Sequence, residues 1–432
     1  MEGFNMATIK IGFLGLGVVG AELVNIIRKN TDGIYEKYGI RLEVSKIFVR
    51  DAGKKRSIDT SLLQLTTNAQ EVVDDPDTDI ICECMGGAGT EETRSYALRA
   101  IGNGKSVVLS SKKVLALYGM EILESAGRHN TVIKFDATVG GGIPVAKIIK
   151  ECFKGEEIRK VVGILNATSN FIYSKMEKEG LSFEDALKKA QELGYAENDP
   201  TEDIGGWDAL YKSVILVMFS MKKWVDIRNI KVTPFSNINV TDIKYANELG
   251  YQIKPLVIVE NGEPLVYRIG PCLIRDSHIA ANTFHNNNMI VFEGSNSGIL
   301  GFYGQGAGSK PTASAMFDDL IGIVTQQGGK PDPVSAELYR GISVARDLQE
   351  YENNLYWRIS VDNRIGMFAA IATILANNSV NIEKIIQKEE QQGKMGIVLL
   401  TSSVNVETIS RISADFEASG VSIHTVMPFL GE

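Results

Sequence analysis

Two charged residues stand inside an apolar run near the middle of the chain. The run, Trp207 to Phe219, is broken only by Asp208, Lys212 and Ser213. On a helix Asp208 and Lys212 are one turn apart and share a face. A surface pair at that spacing would contribute only a few tenths of a kcal/mol and would sit among polar neighbours. Here the neighbours are Ala209, Leu210, Val214, Ile215 and Leu216. That leaves two readings: a buried, mutually neutralised pair, or a pair facing a cleft. The residues just before it, from Leu193 to Gly206, read LGYAENDPTEDIGG and carry Glu197, Asp199, Glu202 and Asp203 among Gly194, Asn198 and Pro200. Such a mixture is expected as a loop, and an acid-rich loop beside a charge pair suits a substrate wall. The four histidines, His129, His278, His285 and His424, are scattered, so a general acid or base is expected among Lys, Asp and Glu.

A second group of residues points to a nucleotide. The apolar segment Ile9 to Leu14 runs into Gly15-Leu16-Gly17-Val18-Val19-Gly20, and helical periodicity follows over Ala21 to Arg28. Strand, G-x-G-x-x-G and helix is the order a dinucleotide site requires. Gly15 permits the tight turn, Gly17 lets the backbone approach a pyrophosphate, and Gly20 lets helix and strand pack. Val18 and Val19 lie at the helix N-terminus that faces the phosphates. The next strand, Leu42 to Val49, ends at Arg50, with Lys54, Lys55 and Arg56 close behind. That cationic cluster suits the 2′-phosphate of NADP, while Asp51 keeps NAD possible. Lys112, in Ser110-Ser111-Lys112-Lys113, follows the strand Ser106 to Leu109. It falls where ligands bind in parallel sheets, to hold a phosphate or orient a substrate, unless it is simply solvated. Asp136-Ala137-Thr138-Val139-Gly140-Gly141-Gly142-Ile143-Pro144 could bind an ion through carbonyls or merely turn. A further glycine loop over 304–308 opens a helix through Val324 and is expected to return the chain to the cofactor.

The 432 residues have room for two or three domains. A net charge of −8, from 45 basic and 53 acidic residues, argues against nucleic acid or an anionic membrane as the main partner. No apolar run is long enough to span a bilayer, and MEGFNMATIK lacks the core of a signal peptide, so a cytoplasmic location is expected. Cys82, Cys84, Cys152 and Cys272 are too few for a disulfide framework, and no zinc site is legible. Strands alternating with helices up to Phe135 predict a doubly wound parallel sheet. From Ile158 the period shifts, predicting a mixed α/β sheet with strands near 161–165, 256–260, 265–269 and 289–293. After the linker-like stretch Gly328 to Pro333, the order βαββαβ predicts a ferredoxin-like unit. The expected division is a nucleotide-binding domain over 1–136 with a return segment 305–345, a second domain over 137–304, and the ferredoxin-like unit over 351–432. A lone βαββαβ unit exposes a sheet face and an edge strand, so it is expected to pair with a second copy. Truncation before Tyr351 is expected to spare catalysis.

Taken together these motifs resemble homoserine dehydrogenases with a C-terminal ACT domain. The resemblance rests on GLGVVG at 15–20, SSKK at 110–113, DATVGGGIP at 136–144, NATSNFI at 166–172, LGYAENDPTEDIGGWDALYK at 193–212 and GQGAGSKPTASA at 304–315. It implies an α/β chain of three parts: a Rossmann domain, a substrate-binding and dimerisation domain over 137–304, and a regulatory ACT tail over 351–432. The implied reaction interconverts L-aspartate 4-semialdehyde and L-homoserine, in threonine, methionine and isoleucine biosynthesis. By the same resemblance Lys212 donates the proton and Asp208 is its substrate-binding partner. Glu197 holds the substrate's amino group and Lys112 sits between cofactor and substrate. Carbonyls of Asp136, Val139, Gly141 and Ile143 bind sodium, and Gly306 touches the cofactor. The protein would be a homodimer or homotetramer, with L-threonine as effector. The chain departs from the family at Leu109-Ser110-Ser111, Ala167, Gln305 and Asp136, and at Ile365 in place of a proline. The physical chemistry agrees: a lysine beside an aspartate in an apolar cleft stays protonated, stabilises a developing alkoxide and can donate to it. Two rivals are a non-catalytic metabolite sensor built on a degenerate dehydrogenase, and an NADP-dependent dehydrogenase of another small amino-acid aldehyde.

Overall fold

The computed structural model describes residues 7–86, 89–325, 345–346, 352–389 and 394–430, so the linker-like stretch 328–333 lies outside the described residues. The chain falls into two compact units, 1–157 with 211–227 and 302–342, and 158–210 with 228–301 and 343–432.

The first unit is built on a parallel sheet of β1 (Ala7–Leu14), β2 (Ile40–Phe48), β3 (Gln64–Thr66), β4 (Ile80–Glu83), β5 (Ser106–Leu109) and β6 (Ile133–Lys134), in the order β3-β2-β1-β4-β5-β6. This is the doubly wound order, whose ligand crevice lies at the carboxyl ends of the strands. β4 is buried along its whole length, as a strand covered on both faces must be. The first helix, Val18–Tyr38, is longer than its apolar period indicates. Its polar second half is anchored by buried Ile34 and ends at Gly39, whose φ of 72° and N–H bond to the Tyr35 carbonyl make a left-handed cap. The helix Ser309–Val324 shares one core with it: Leu23, Val24 and Ile27 pack with Ala313, Met316 and Leu320. The late glycine loop therefore does return the chain to the nucleotide-binding sheet. Helix Lys112–His129, which the sequence reading missed, follows β5.

The second sheet is formed by β7 (Ile158–Ile164), β8 (Tyr251–Glu260), β9 (Leu265–Arg275), β10 (Asn287–Gly294), β11 (Gly298–Gln305) and β12 (Ala345–Arg346), ordered β11-β10-β7-β8-β9-β12, and belongs to the second unit except for the last residues of β11. The β10–β7–β8–β9 pairs are antiparallel and β12 joins β9 in parallel, so the sheet is mixed. Beside it stands a sheet of β13 (Asn353–Asp362), β14 (Ile382–Glu389), β15 (Lys394–Val404) and β16 (Ser422–Pro428), ordered β14-β15-β13-β16 with antiparallel neighbours. Helices Met367–Asn377 and Val406–Ala418 complete the ferredoxin-like unit and cover one face through Trp357, Ile359, Ile371, Leu375, Ile412 and Phe416.

The opposite face of that tail is not open, as the sequence reading assumed. Tyr356, Val398, Leu400, Met427 and Phe429 share a core with Phe171, Tyr173, Ile243, Tyr245 and Leu273. The Leu430 N–H donates to the Leu273 carbonyl at 2.8 Å. Within this contact Asp242, fully buried, accepts from the Arg358 Nε at 2.6 Å, the Tyr356 hydroxyl at 2.9 Å and the Thr425 hydroxyl at 3.0 Å. Removing residues 351–432 would uncover this core and strip Asp242 of its partners, so truncation is not a neutral deletion. Alternation along a strand says that one face needs cover; it does not say which part of the chain supplies it.

Asp242→Ala should destabilise the protein by about 3–5 kcal/mol, because it leaves the buried Arg358 guanidinium uncompensated. Arg99→Ala, which breaks an ion pair with Asp74 whose side chains are 51% and 36% exposed, should cost no more than about 1 kcal/mol. Urea unfolding of the two variants checks the contrast, and equal losses would remove Asp242 as the anchor of the tail.

Candidate active site

The nucleotide loop is shaped by what its glycines exclude. Gly15 has φ of 104°, and a Cβ there would lie 2.5 Å from the Cys84 carbonyl oxygen. A Cβ on Gly20 would lie 2.6 Å from the Gly15 carbonyl oxygen. A Cβ on Gly17 would meet nothing within 4 Å. The first and third glycines are thus required by the protein's own packing, while the second leaves a cradle open to a ligand. Gly17 caps the helix Val18–Tyr38 without a side-chain hydrogen bond, so no side chain competes for the amides of the first turn. Val18 is 74% exposed at that end, and Val19 packs against the core beneath. These features fit a dinucleotide's pyrophosphate.

Arg50 is exposed just past the end of β2. Asp51, the acid that could bind a ribose hydroxyl, accepts the Gly53 N–H through its carboxylate at 2.8 Å. Its carbonyl accepts from the Arg56 guanidinium at 2.6 Å. One carboxylate oxygen of Asp51 thus serves its own turn, while Arg50 is exposed beside it.

Also in the first unit, Lys112 begins its helix directly after β5. The neighbouring Lys113 ammonium lies 5.5 Å from the centre of the Tyr211 ring. The residues next to Lys112 and Lys212 in sequence are therefore in contact. Phe135 stacks on Phe219 with ring centres 4.8 Å apart, which ties the start of the 136–143 loop to the same helix. Lys212 itself is 7% exposed.

The triple-glycine loop has a packing reason of its own. Gly141 has φ of 60°, and a Cβ there would come within 2.7 Å of the Gln305 and Gly306 backbones. The Gly142 N–H donates to the Gln305 carbonyl at 3.1 Å. Gly306 is buried against this loop. At the loop's start Asp136 and Asp319 are both buried, and the Asp136 N–H donates to the Asp319 carboxyl at 2.8 Å. Burial pushes both carboxyls above their ordinary range, and for Asp319 the neighbouring Asp136 charge adds to it. Val139 and Ile143 are buried in the same loop.

In the second unit the acid-rich stretch is mostly irregular, as expected, but contains one helical turn, Thr201–Ile204. Asp203 sits in that turn and joins a network that sequence reasoning missed. The Asn166 amide donates to the Asp203 carboxylate at 2.7 Å and to the Asp208 carboxylate at 2.9 Å. Its oxygen caps the helix Ala167–Glu179 by accepting the Ser169 N–H at 2.7 Å. The Thr168 hydroxyl lies 3.0 Å from Asp203 and 2.8 Å from the Tyr195 carbonyl. Asn166, Thr168 and Asp203 are thus functional candidates. Asp203 had been noted only as one acid of the loop, and the sequence signal for Asn166 and Thr168 was the polar cluster Asn166-Ala167-Thr168-Ser169-Asn170 at a strand end. Asp208 is 4% exposed, which removes the reading of a surface pair. Glu197 is exposed, its carbonyl held by the Gln191 amide at 3.1 Å. One helix, Trp207–Ser220, carries both Asp208 and Lys212, so their separation of one turn is fixed by the backbone.

Comparison with known proteins converges on one family. The homoserine dehydrogenase NAD-binding domain matches residues 15–136, the homoserine dehydrogenase domain residues 144–321, and the ACT domain residues 358–421. The homoserine dehydrogenase of Bacillus subtilis is 35% identical over 386 residues, 88% of each chain. That of Pseudomonas aeruginosa is 34% identical, covering 96% of this chain and 97% of the relative. A homoserine dehydrogenase crystal structure from Thiobacillus denitrificans superposes with a TM-score of 0.91 at 34% identity, over 98% of this chain and 99% of that one. With its nucleotide-binding sheet, its buried lysine–aspartate helix and its ferredoxin-like tail, the chain belongs to the homoserine dehydrogenase family.

Proposed function

We propose that the chain interconverts L-aspartate 4-semialdehyde and L-homoserine with NADP as the preferred cofactor, NAD remaining possible, and with Lys212 as proton donor. The bound nicotinamide supplies or accepts the hydride. Reduction of the aldehyde then leaves an oxygen that needs one proton, and Lys212 supplies it. The observation that carries this reading is the buried pair on one helix, with Asp208 held by Asn166. An ammonium in an apolar surround stabilises alkoxide character more strongly than it would in water. Asp208 orients the substrate, and exposed Glu197 offers its carboxylate to the substrate ammonium. Lys112 lies between cofactor and substrate. Gly15, Gly17, Val18, Val19, Gly20 and Gly306 line the cofactor's path. The working division is a cofactor domain over 1–136 with 305–345, a substrate and dimerisation domain over 137–304, and an ACT domain over 351–432. A mutant of a related hyperthermophilic archaeal homoserine dehydrogenase, 25% identical and with a TM-score of 0.63, has been solved in complex with NADPH.

The carbonyls of Asp136, Val139, Gly141 and Ile143 would hold a sodium ion. They are neutral oxygen donors suited to a hard cation. Exposed Ile279 and Ile299, the latter on edge strand β11, offer an apolar surface for self-association.

Purified protein with homoserine and NADP⁺ at alkaline pH should produce NADPH, read by absorbance. Lys212→Ala should lower kcat by about 10²–10⁴-fold, the range for loss of a general acid, with cofactor affinity nearly unchanged. Near-normal turnover in that variant would remove Lys212 from the proton transfer, and no turnover by the parent protein would favour a metabolite sensor.

Arg50→Ala should weaken NADP binding by about 1.5–3 kcal/mol, the range for hydrogen bonds to charged groups, and leave NAD binding alone. Equal losses for both cofactors would show that Arg50 does not read the 2′-phosphate.

The ACT tail is the proposed threonine sensor. Gly366, with φ of 93°, caps helix Met367–Asn377 without a side-chain bond, and a Cβ there would meet nothing within 4 Å. Threonine at millimolar concentration should inhibit the full chain, and Gly366→Asn, a residue that tolerates positive φ, should blunt that inhibition without changing the uninhibited kcat. An enzyme indifferent to threonine would point to another effector or to a tail kept for assembly.

A further inference from the structure

At the carboxyl end of β4 lies a carboxylate that the reaction does not use directly. Glu83 is fully buried in the first unit. One of its oxygens accepts the Met85 N–H at 2.8 Å. The other accepts the Ser110 N–H at 3.1 Å and the Ser111 N–H at 2.9 Å. A buried carboxylate is costly unless it is hydrogen-bonded, and here three backbone amides converge on one side chain. Two belong to the turn after β5 and one to the turn after β4. In a doubly wound sheet ligands bind at the carboxyl ends of the strands, and β4 borders the switch point between β1 and β4.

The clamp also reaches the glycine loop. The Cys84 N–H donates to the Leu14 carbonyl at 2.8 Å, and Gly15 packs against the Cys84 and Met85 backbones so closely that it has no room for a Cβ. Ser111 is the residue from which helix Lys112–His129 springs, so holding its amide fixes the point from which Lys112 extends. A loop staple needed only for stability could be apolar or could use a neutral side chain. A carboxylate with two acceptor oxygens can serve two separate turns at once.

We propose that Glu83 is a positioning residue for the dehydrogenase reaction: its buried carboxylate locks the turns after β4 and β5 together and so sets where Lys112 meets the cofactor and substrate. This rests on the reading of Lys112 as a group lying between the two. Glu83→Gln keeps size and shape but replaces one acceptor oxygen with an NH2 group, which cannot accept either amide. One of the two turns is then released while the core packing is kept.

The test uses the full chain and four proteins: the parent, Glu83→Gln, Lys112→Ala and the double variant. Because a misplacement of about 1 Å can cost about 10²-fold, kcat in Glu83→Gln should fall about 10–100-fold. The dissociation constant for NADPH, read by its fluorescence, should also rise. In the Lys112→Ala background the same substitution should change kcat little, because the group it positions is gone. Fully multiplicative losses in the double variant, or a folded Glu83→Gln protein with parental kcat and NADPH affinity, would overturn the proposal. If Glu83→Gln does not fold, Ser111→Pro removes one amide from the clamp and leaves the carboxylate in place; it should reproduce the loss of kcat, and unchanged kcat in it would overturn the proposal. A parent protein that binds NADPH but does not turn over homoserine would sink the proposed reaction. The NADPH affinity of Glu83→Gln would then decide the clamp independently.

Discussion

A carboxylate placed in an apolar helix must find hydrogen bonds or be expelled from the core. For Asp208 one such bond comes from the Asn166 amide. Asn166 has two N–H groups, and it gives one to Asp208 and the other to Asp203. Its remaining oxygen caps the helix Ala167–Glu179. The side chain thus joins the end of β7, the acid-rich stretch and the start of helix Trp207–Ser220. A residue of opposite charge would neutralise Asp208 but could not also cap a helix. The amide bonds both acids without carrying a charge of its own, so one neutral side chain ties Asp208 to Asp203.

Much of the fold was legible in the sequence, because β4 and β5 are short, largely apolar runs closed by glycine or polar turns. β5 fell where the pattern put it, and the tail's six elements came in the expected order. The failures have separate physical causes. Helix Lys112–His129 carries Gly119 in its middle, a residue that argues against a helix. The Trp224 indole packs so close that a Cβ on Gly119 would lie 2.9 Å from it, so tertiary packing overrides propensity. Helix Ala167–Glu179, which the strand-like reading of this region did not foresee, opens with Thr, Ser and Asn, residues that favour caps and turns. Their polar groups are used in three dimensions instead: the Asn170 amide donates to the Asn287 carbonyl at 3.1 Å, and the Ser174 hydroxyl accepts the His285 N–H at 2.9 Å.

The site was legible as a set of residue types and not as a network. Asp208 and Lys212 stood out because charge is rare in an apolar run, and the structure buries both. Asn166, Thr168 and Glu83 did not stand out, since a lone amide, hydroxyl or acid at a strand end has many bland explanations. What distinguishes them is convergence from distant parts of the chain: Glu83 collects amides from 2, 27 and 28 residues away, and Asn166 reaches 37 and 42 residues along. Spacing in a sequence cannot encode such a meeting.

The docking of the tail limits how an effector could act. Allosteric coupling is typically about 1–3 kcal/mol. The contact it would have to disturb includes a buried ion pair, whose one-sided loss alone costs about 3–5 kcal/mol, and an apolar core shared with Phe171 and Tyr173. An effector of ordinary coupling strength is too weak to undock the tail, so it would have to bias two arrangements of a docked one. A covalent and hydrogen-bonded route for such a bias lies within the second unit. Asp242 belongs to helix Val240–Glu248, and the segment leading into that helix includes Ser236, whose N–H donates to the Ile204 carbonyl at 3.2 Å. Ile204 ends the short turn that holds Asp203, the partner of Asn166. A shift of helix Val240–Glu248 would reach Asp208 through four residues, each of them already committed to a hydrogen bond. Regulation by small adjustment of the Asn166 network is therefore physically cheaper than regulation by domain release.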